Sequence, residues 1–236
     1  MDSYAAGETT PALIEETIGE NFARVAAEHA DREALVEVAS GRRWTYAELD
    51  RDVDALARGL VGAGIAKGDR VGIWAPNCAE WTLVQYATAK IGAILVNVNP
   101  AYRTHELAYA LNQSGLRLLV SATEFKTSDY RAMVAEVRHD AHALERVVFI
   151  GTGDWDDLVA QGDGLPADAV PERMATLANA DPINIQYTSG TTGFPKGATL
   201  SHRNILNNGF FTTELINFTH EDRLCIPVPS TTASAW

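Results

Sequence analysis

The amino-acid sequence predicts an α/β fold with mostly parallel sheets flanked by helices, and three observations support this. Short apolar runs of strand length alternate with segments of helical periodicity from about residue 45 to residue 150. Such alternation is typical of parallel strands joined by helical crossovers. The run 93–98 is continuously apolar, as expected for a strand that is buried on both faces. Glycine or proline follows several of these segments and marks where they end.

The first 46 residues predict a helix followed by a hairpin. Between residues 11 and 30, apolar side chains recur at the spacing of one helical face, which predicts an amphipathic helix. Residues 34–38 and 43–46 have the composition of short strands, and Ser40 and Gly41 lie between them. This arrangement predicts a β-hairpin.

Two helix starts carry capping signals. Thr45 followed three residues later by Glu48 predicts a capping box. Four apolar residues then follow on one helical face: Leu49, Val53, Leu56 and Leu60. After an apolar strand at 70–74, Asn77 with Glu80 predicts the start of a second helix, which should end before Gly92.

The alternation continues to residue 150 and then lapses. Helices are predicted over 104–113 and 128–138, and strands over 116–120 and 146–150. From 151 to 181 the chain is rich in Gly, Asp, Pro and Ala, and only 155–160 has a helical pattern. We predict that this stretch is a surface connection to a further strand at 183–187.

Composition excludes several classes of protein. The formal net charge of the 236 residues is −12, whereas nucleic-acid binders generally carry a basic patch or stripe. We therefore expect small-molecule substrates and no nucleic-acid partner. No apolar run reaches the roughly 18 residues of a membrane helix, and the acidic first twenty residues do not resemble a secretory signal. We expect a cytoplasmic protein without a transmembrane segment; the sequence predicts no oligomeric state.

Most isolated polar residues are predicted to have structural roles. Cys78 and Cys225 have neither metal nor disulfide spacing, and we expect both to be buried as small apolar residues. We expect His139 and His142 to be solvated rather than to bind metal. The three aspartates around Trp155 are expected to mark a helix start: Asp154, Asp156 and Asp157. Lys90 and Arg103 are also expected to be structural.

One stretch, which we name the signature loop, is predicted to bind phosphate. Residues 187–197 read Tyr-Thr-Ser-Gly-Thr-Thr-Gly-Phe-Pro-Lys-Gly and contain three glycines, several hydroxyls and a lysine. Gly190, Gly193 and Gly197 are expected to allow positive φ and close approach to a ligand, so that backbone N–H groups can bind an anion. Lys196 adds a full positive charge, and charge-assisted hydrogen bonds are strong.

The signature loop differs from the P-loop of the NTPases, because Pro195 stands where that motif requires its second glycine. The alternating strand at 183–187 precedes it, and a helix from about 202 to 218, with Ser201 as N-cap, is predicted to follow. We therefore expect the order strand, loop, helix. The alternative is an ordinary surface loop. His202, beside the loop, could reach a phosphate, although a solvated or capping role is the favoured alternative.

The signature loop resembles that of the adenylate-forming, or AMP-binding, superfamily, which includes acyl-CoA synthetases, luciferases and peptide-synthetase adenylation domains. A second stretch at 92–107, which contains Asn97-Val98-Asn99-Pro100, is similar to the corresponding segment of fatty acyl-CoA synthetases. The resemblance extends over about residues 11–229. It implies that the fold is the N-terminal portion of the acyl-CoA synthetase adenylation domain.

The resemblance also implies a reaction and a set of site residues. A fatty acid would react with ATP to give an acyl-adenylate and pyrophosphate, and the thiol of CoA would then displace AMP. The β- and γ-phosphates of ATP would be held by Thr188, Ser189, Gly190, Thr191, Thr192, Gly193 and Lys196. Thr188 and Lys196 would have catalytic roles, with Thr188 close to Mg²⁺ and Lys196 steadying the leaving pyrophosphate.

The resemblance further implies a domain assignment. Residues 1–229 would form an incomplete N-terminal adenylation domain, and 230–236 would be an unmatched tail of the kind that a frameshift or premature stop leaves. The C-terminal domain of the family would be absent. Two interpretations stay open: a chain of the ATP-dependent fatty acid–CoA ligase family that is inactive alone, or a non-catalytic remnant that interacts with an intact synthetase.

Overall fold

The computed structural model describes residues 10–188 and 195–228. Within those ranges the helices are α1 (Ile18–Glu28), α2 (Tyr46–Gly62), α3 (Ala79–Ile91), α4 (Thr104–Ser114), α5 (Tyr130–Val137), α6 (Gly153–Ala160), α7 (Ala169–Met174) and α8 (His202–Leu215). The strands are β1 (Glu33–Glu37), β2 (Arg42–Thr45), β3 (Arg70–Trp74), β4 (Ile94–Asn97), β5 (Leu118–Ser121), β6 (Glu124–Phe125), β7 (Ser128–Asp129), β8 (Arg146–Phe149), β9 (Pro182–Thr188) and β10 (Lys196–Ser201).

Six strands form the central sheet in the order β10-β9-β4-β3-β5-β8. The strands from β9 to β8 run parallel to their neighbours, and β10 alone is antiparallel, to β9. β1 with β2, and β6 with β7, form separate antiparallel pairs. The predicted α/β class with a mostly parallel sheet is confirmed.

Helices pack on both faces of the sheet. One apolar core lies between the sheet and α2, α3 and α6, and includes Leu56, Ile73 and Leu95. A second lies between the opposite face and α4 and α5, and includes Leu107 and Tyr130. Complete burial of a residue such as Leu56 contributes roughly 1.5–3 kcal/mol relative to its exposure. The two cores fix α3 and α4 on either side of β4.

The predicted helix signals explain most of the observed boundaries. The Thr45 hydroxyl accepts a hydrogen bond from the Glu48 N–H, and the Glu48 carboxylate accepts from the Thr45 N–H, which completes the capping box. Gly92 ends α3 with a φ of 72°, a left-handed conformation that favours glycine. The helix starting at Ala79 differs from the prediction, because Cys78 is the N-cap residue and not Asn77. The side chain of Glu80 instead binds Arg42.

The stretch 151–181 is more than a surface connection. It contains α6 and also α7, which the sequence analysis did not predict. Leu158 of α6 and Val170 of α7 are buried in the core beneath α2 and α3. The first helix is shorter than predicted, since α1 begins only at Ile18, where Thr17 provides the capping box.

The chain after α8 presents apolar side chains to solvent. The exposed large apolar residues of this part are Leu215, Ile216, Leu224, Ile226 and Val228. Polar contacts attach the segment to the rest of the fold, because Asn77 Nδ2 donates to the Val228 carbonyl and Arg32 Nη1 donates to the His220 carbonyl. In the ranges that the structure describes, no helix is both long and apolar enough to cross a membrane.

Candidate functional site

The signature loop connects two strands and not a strand and a helix. Lys196–Ser201 forms β10, which pairs antiparallel with β9 from Thr188 to Pro182. The expected order of strand, loop and helix is therefore wrong: β10 lies between the loop and α8. Helix α8 does begin at His202 with Ser201 as its N-cap, as predicted. The described ends of the loop thus belong to a pair of antiparallel strands at the edge of the sheet.

Thr188 and Lys196 are brought together at the loop end of this hairpin. They are register partners, and the Thr188 hydroxyl donates to the Lys196 carbonyl over 3.4 Å. Both residues are exposed. In the described part of the chain, the Lys196 ammonium has no ion pair with a carboxylate, whereas Lys67 and Lys90 do. A phosphate could therefore approach both groups from solvent.

Five of the predicted ligands lie outside the described residues: Ser189, Gly190, Thr191, Thr192 and Gly193. Their assigned roles stay predictions. Gly197 is described, and its predicted use is wrong, because it lies within β10 and does not have a positive φ. The space beside it is limited: an added Cβ would lie 3.0 Å from Ile185 Cγ2, a tight contact, and 3.6 Å from Gln113 Oε1, an ordinary one.

The hairpin extends past its neighbour in the sheet. β4 pairs with β9 only from Leu95–Asn184 to Asn97–Gln186, so Tyr187 and Thr188 continue beyond the end of β4. This is the carboxyl end of the parallel strands, where ligands generally bind in α/β sheets.

Helix α4 supports the projecting end of the hairpin, a feature that the sequence analysis missed. Tyr109 Oη donates to the Pro195 carbonyl over 3.2 Å. Tyr187 Oη donates to Gln113 Oε1 over 2.5 Å and to the Ala110 carbonyl over 3.3 Å. Burial raises the pKa of Tyr187 to about 12, so its hydroxyl stays a donor at neutral pH. The available signal was the spacing of four residues between Tyr109 and Gln113, which puts both on one helical face.

A buried polar cluster lies beneath the hairpin. Asn97, Asn184 and Gln186 are 1%, 2% and 5% exposed. Because Asn97 is the register partner of Gln186, and Asn184 lies two residues before it, the three amides share one face of the sheet. Asn184 Nδ2 donates to Asn97 Oδ1 over 3.3 Å. One amide atom of each residue has no hydrogen-bond partner among the described atoms.

His202 does not have the exposed position that a phosphate ligand needs. Its side chain is 0% exposed, and its Nδ1 accepts a hydrogen bond from the Ile18 N–H over 3.1 Å. Burial lowers its pKa to about 4. His202 thus joins the start of α1 to the start of α8, and both the phosphate-binding and the solvated alternatives are wrong.

The other isolated residues are mostly structural, as predicted. Lys90 is buried against Asp50 and Asp54, Asp154 lies in the first turn of α6, and His139 is exposed beside Asp140. Arg103 is the N-cap residue of α4 and donates to the Ser128 hydroxyl. The cysteine prediction is wrong for Cys225, which is exposed, while Cys78 is partly buried. The described residues contain no cluster of His, Cys, Asp and Glu that could hold a metal.

A cavity lined by described residues lies elsewhere in the molecule. It has a volume of about 600 Å³ and lies between α1, α2 and α6. Alanines such as Ala23 and Ala55 form much of its wall, with Arg51 and Asp54 among the charged residues. It shares no residue with the signature loop, so the candidate site rests on the hairpin and not on this cavity.

The profile of the AMP-binding enzyme family matches residues 22–236, which is most of the chain. The chain belongs to the AMP-binding enzyme family. This AMP-binding family member is 39% identical to the medium-chain acyl-CoA ligase ACSF2, mitochondrial, of Danio rerio over 247 aligned residues. That alignment covers 96% of this chain and 41% of the relative, so the chain spans about two fifths of the length of this curated relative.

Solved structures agree with the family assignment. The N-terminal domain of FACL13 from Mycobacterium tuberculosis superposes with a TM-score of 0.79 at 26% identity, over 92% of this chain and 52% of that one. A fatty acyl CoA synthetase from Mycobacterium tuberculosis gives a TM-score of 0.79 at 26% identity, over 93% of this chain and 41% of that one. This AMP-binding family member therefore has the fold of the N-terminal part of acyl-CoA synthetases, as the signature loop implied. The predicted boundary at 229 and the tail at 230–236 stay predictions.

Proposed function

We propose that this AMP-binding family member carries the polyphosphate-binding part of an ATP-dependent fatty acid–CoA ligase. The observation that supports this most directly is the pairing of Thr188 with Lys196 at the exposed end of the hairpin. The turn between them carries the loop sequence of the family. The similarity to a medium-chain acyl-CoA ligase supports a fatty acid as the second substrate.

The proposed reaction solves a chemical problem of the carboxylate. A free carboxylate is a poor acyl donor, because it carries a negative charge and lacks a good leaving group. In the first step a carboxylate oxygen attacks the α-phosphorus of ATP, and pyrophosphate leaves. In the second step the sulfur of CoA attacks the acyl carbonyl of the adenylate, and AMP leaves. Both displacements depend on positioning and charge stabilisation more than on a protein nucleophile.

In the first step, the hairpin would supply positioning and charge stabilisation. The Lys196 ammonium would offset the charge that develops on the departing pyrophosphate. The Thr188 hydroxyl, 3.4 Å from the Lys196 carbonyl, would lie at the opposite edge of the same opening. Backbone N–H groups of the loop would complete the phosphate contacts, in the manner of anion-binding turns.

Mg²⁺ prefers oxygen ligands, and the hairpin offers the hydroxyl oxygen of Thr188. Mg²⁺ in nucleotide sites is held largely by phosphate oxygens and water, with one or two protein ligands. Thr188 is exposed, and its described hydrogen bond is one that it donates, which leaves lone pairs on the oxygen. Thr188 would therefore hold the nucleotide-bound Mg²⁺, which supplies charge neutralisation to the polyphosphate.

The second candidate function is nucleotide binding without turnover. Its support is that the described residues of the hairpin, Thr188 and Lys196, bear on phosphate binding and not on the later transfer to CoA. Under this alternative the chain binds ATP and acts by associating with an intact synthetase.

The cytoplasmic location also stays a proposal, which cell fractionation with an antibody to the chain would test.

One experiment separates the two functions. The purified 236-residue chain is incubated with ATP, Mg²⁺, CoA and a medium-chain fatty acid, and pyrophosphate release is compared with a reaction that lacks the acid. Release that depends on the acid supports the ligase. ATP binding by calorimetry without any release supports the second function. Absence of ATP binding by a folded chain contradicts both.

A further inference from the structure

The hairpin that carries the signature loop has little support from the sheet. β10 is the edge strand, and β9 continues past Asn97, the last residue of β4. The two stems of the loop, Tyr187–Thr188 and Pro195–Lys196, therefore project beyond the parallel ladder. Main-chain pairing between β9 and β10 joins the stems to each other, but it does not fix them to the rest of the fold.

Helix α4 provides that missing attachment at two points one helical turn apart. Tyr109 Oη donates to the carbonyl of Pro195, on the stem that leads out of the loop. Gln113 Oε1 accepts from Tyr187 Oη, on the stem that leads into it. We name these two contacts the α4 clamp. The rings of Tyr109 and Tyr187 also meet edge to face, with centroids 6.5 Å apart.

The helix that carries the clamp is itself firmly held. Leu107, Ala110 and Leu111 are 0%, 0% and 1% exposed, and they lie on a different face of α4 from the two clamp residues. Gly115 ends the helix in the left-handed conformation with a φ of 60°. Gly197 adds to the fit, because a larger residue there would press on Ile185 and approach Gln113 Oε1. The clamp thus connects the loop stems to the buried core.

We propose that Tyr109 is a positioning residue for the nucleotide site and that it acts through the Pro195 carbonyl. Pro195 directly precedes Lys196, so the hydrogen bond from the Tyr109 phenol fixes the backbone from which the Lys196 side chain extends. The inference rests on the proposed function of the hairpin as a polyphosphate site and adds residues outside the signature loop to it. The physical basis is preorganisation: if the stem is already held in place, less conformational entropy is lost when the ligand binds.

Tyr109→Phe tests the proposal, because it removes one hydroxyl and keeps the ring. We expect the dissociation constant for ATP, measured by calorimetry, to rise about two- to tenfold, the worth of one neutral hydrogen bond. Amide hydrogen exchange should accelerate at residues 196–198 and stay unchanged in α2 and β3. Tyr187→Phe should have a similar effect, and the double variant a larger one.

The matched control is Tyr130→Phe. Tyr130 Oη also donates to a proline carbonyl, that of Pro100, over 2.5 Å, but it belongs to α5 and its hydroxyl bonds to the segment that follows β4 and not to the hairpin. This variant should unfold more easily without any change in ATP affinity or in exchange at 196–198. A role of Tyr109 in general stability alone would give that same result for Tyr109→Phe, and would overturn the proposal.

The two proposals fail in different ways. If the folded chain does not bind ATP, the proposed function fails, and the exchange measurement alone decides whether Tyr109 positions the stem. If the unsubstituted chain binds ATP, and Tyr109→Phe has the same ATP affinity and the same hydrogen exchange, the positioning role of Tyr109 is wrong while the proposed function stands.

Discussion

Thr188 and Lys196 are eight positions apart in sequence and are direct register partners in space, with a hydrogen bond from the Thr188 hydroxyl to the Lys196 carbonyl. Strand pairing thus fixes the two ends of the signature loop at the width of one antiparallel ladder, about 5 Å between Cα atoms. Under the proposed function, a phosphate bound at this end would meet a hydroxyl from one strand and an ammonium group from the other.

The first prediction concerns that ammonium group. Lys196→Ala should weaken binding of ATP and of inorganic tripolyphosphate about ten- to a hundredfold, since a hydrogen bond to a charged partner contributes about 1.5–3 kcal/mol. Calorimetry with the two ligands measures the change. Lys126→Ala is the control, because Lys126 is an exposed lysine in the separate hairpin of β6 and β7 and is not part of the signature loop. Equal affinity in Lys196→Ala and in the control would remove Lys196 from the site.

The second prediction concerns pH. His202 is neutral in the fold because burial lowers its pKa to about 4 from an ordinary value of 6.5, although the nearby Asp181 and Glu20 partly oppose this effect and Lys67 adds to it. The unfolded chain therefore takes up a proton at a higher pH than the folded chain. The contribution of His202 to the free energy of unfolding is complete above pH 6.5 and is lost as the pH falls from 6.5 to 4. The total loss is on the order of 3 kcal/mol.

Urea unfolding between pH 7.5 and 5 measures this loss. His202→Gln can still accept from the Ile18 N–H and does not titrate, so its stability should change less over the same range. The carboxylates with lowered pKa, such as Asp69 and Asp181, titrate below this window. Parallel pH profiles for the two proteins would show that His202 is not the group responsible.

The third prediction concerns the buried ion pairs of Lys90. The Nζ atom lies 2.6 Å from Asp50 Oδ1 and 2.5 Å from Asp54 Oδ1, and the lysine side chain is 2% exposed. Lys90→Met should lower the free energy of unfolding by about 1 kcal/mol, because the two carboxylates that lose their partner are 29% and 44% exposed and stay partly solvated. Adding Asp50→Asn and Asp54→Asn should restore part of the loss, and no recovery in that triple variant would assign the cost to packing instead.

The fourth prediction contrasts two helical glycines. At Gly62, near the end of α2, an added Cβ would lie 2.0 Å from the Gln161 carbonyl oxygen, whereas at Gly209 in α8 nothing lies within 4 Å. Gly62→Ala should therefore destabilise the fold by about 1–3 kcal/mol through overpacking against the end of α6. Gly209→Ala should stabilise it by roughly 0.5–1 kcal/mol, since alanine is the better helix former. Thermal unfolding of both variants gives the signs, and the same sign for both would contradict the prediction.

The sequence predicts the parallel part of the fold well because the signals there are local. Apolar runs such as 93–98 and capping pairs such as Thr45 with Glu48 are complete within a few residues. β10 was missed because Lys196–Ser201 is short and mostly polar, and its strand conformation depends on pairing with β9. α7 was missed because it has six residues and contains Pro171.

The candidate site divides in the same way. The residue types of the signature loop predict phosphate chemistry, and the comparisons confirm the family. The contacts that position the loop were out of reach, since Tyr109 and Pro195 are 86 residues apart. His202 was misjudged because its burial depends on Ile18, which lies 184 residues away in sequence. Sequence patterns identify the chemistry, while long-range packing decides which neighbouring side chains can take part in it.

The presence of β10 changes the electrostatics of the loop. The N-terminus of α8, with its partial positive charge, lies a whole strand of six residues from Lys196, which is about 20 Å of extended chain. A helix macrodipole acts within about its first turn, so α8 cannot draw a triphosphate into the turn. Lys196 is the one cationic residue in 187–197, so under the proposed function the charge that attracts the nucleotide would come from this single side chain.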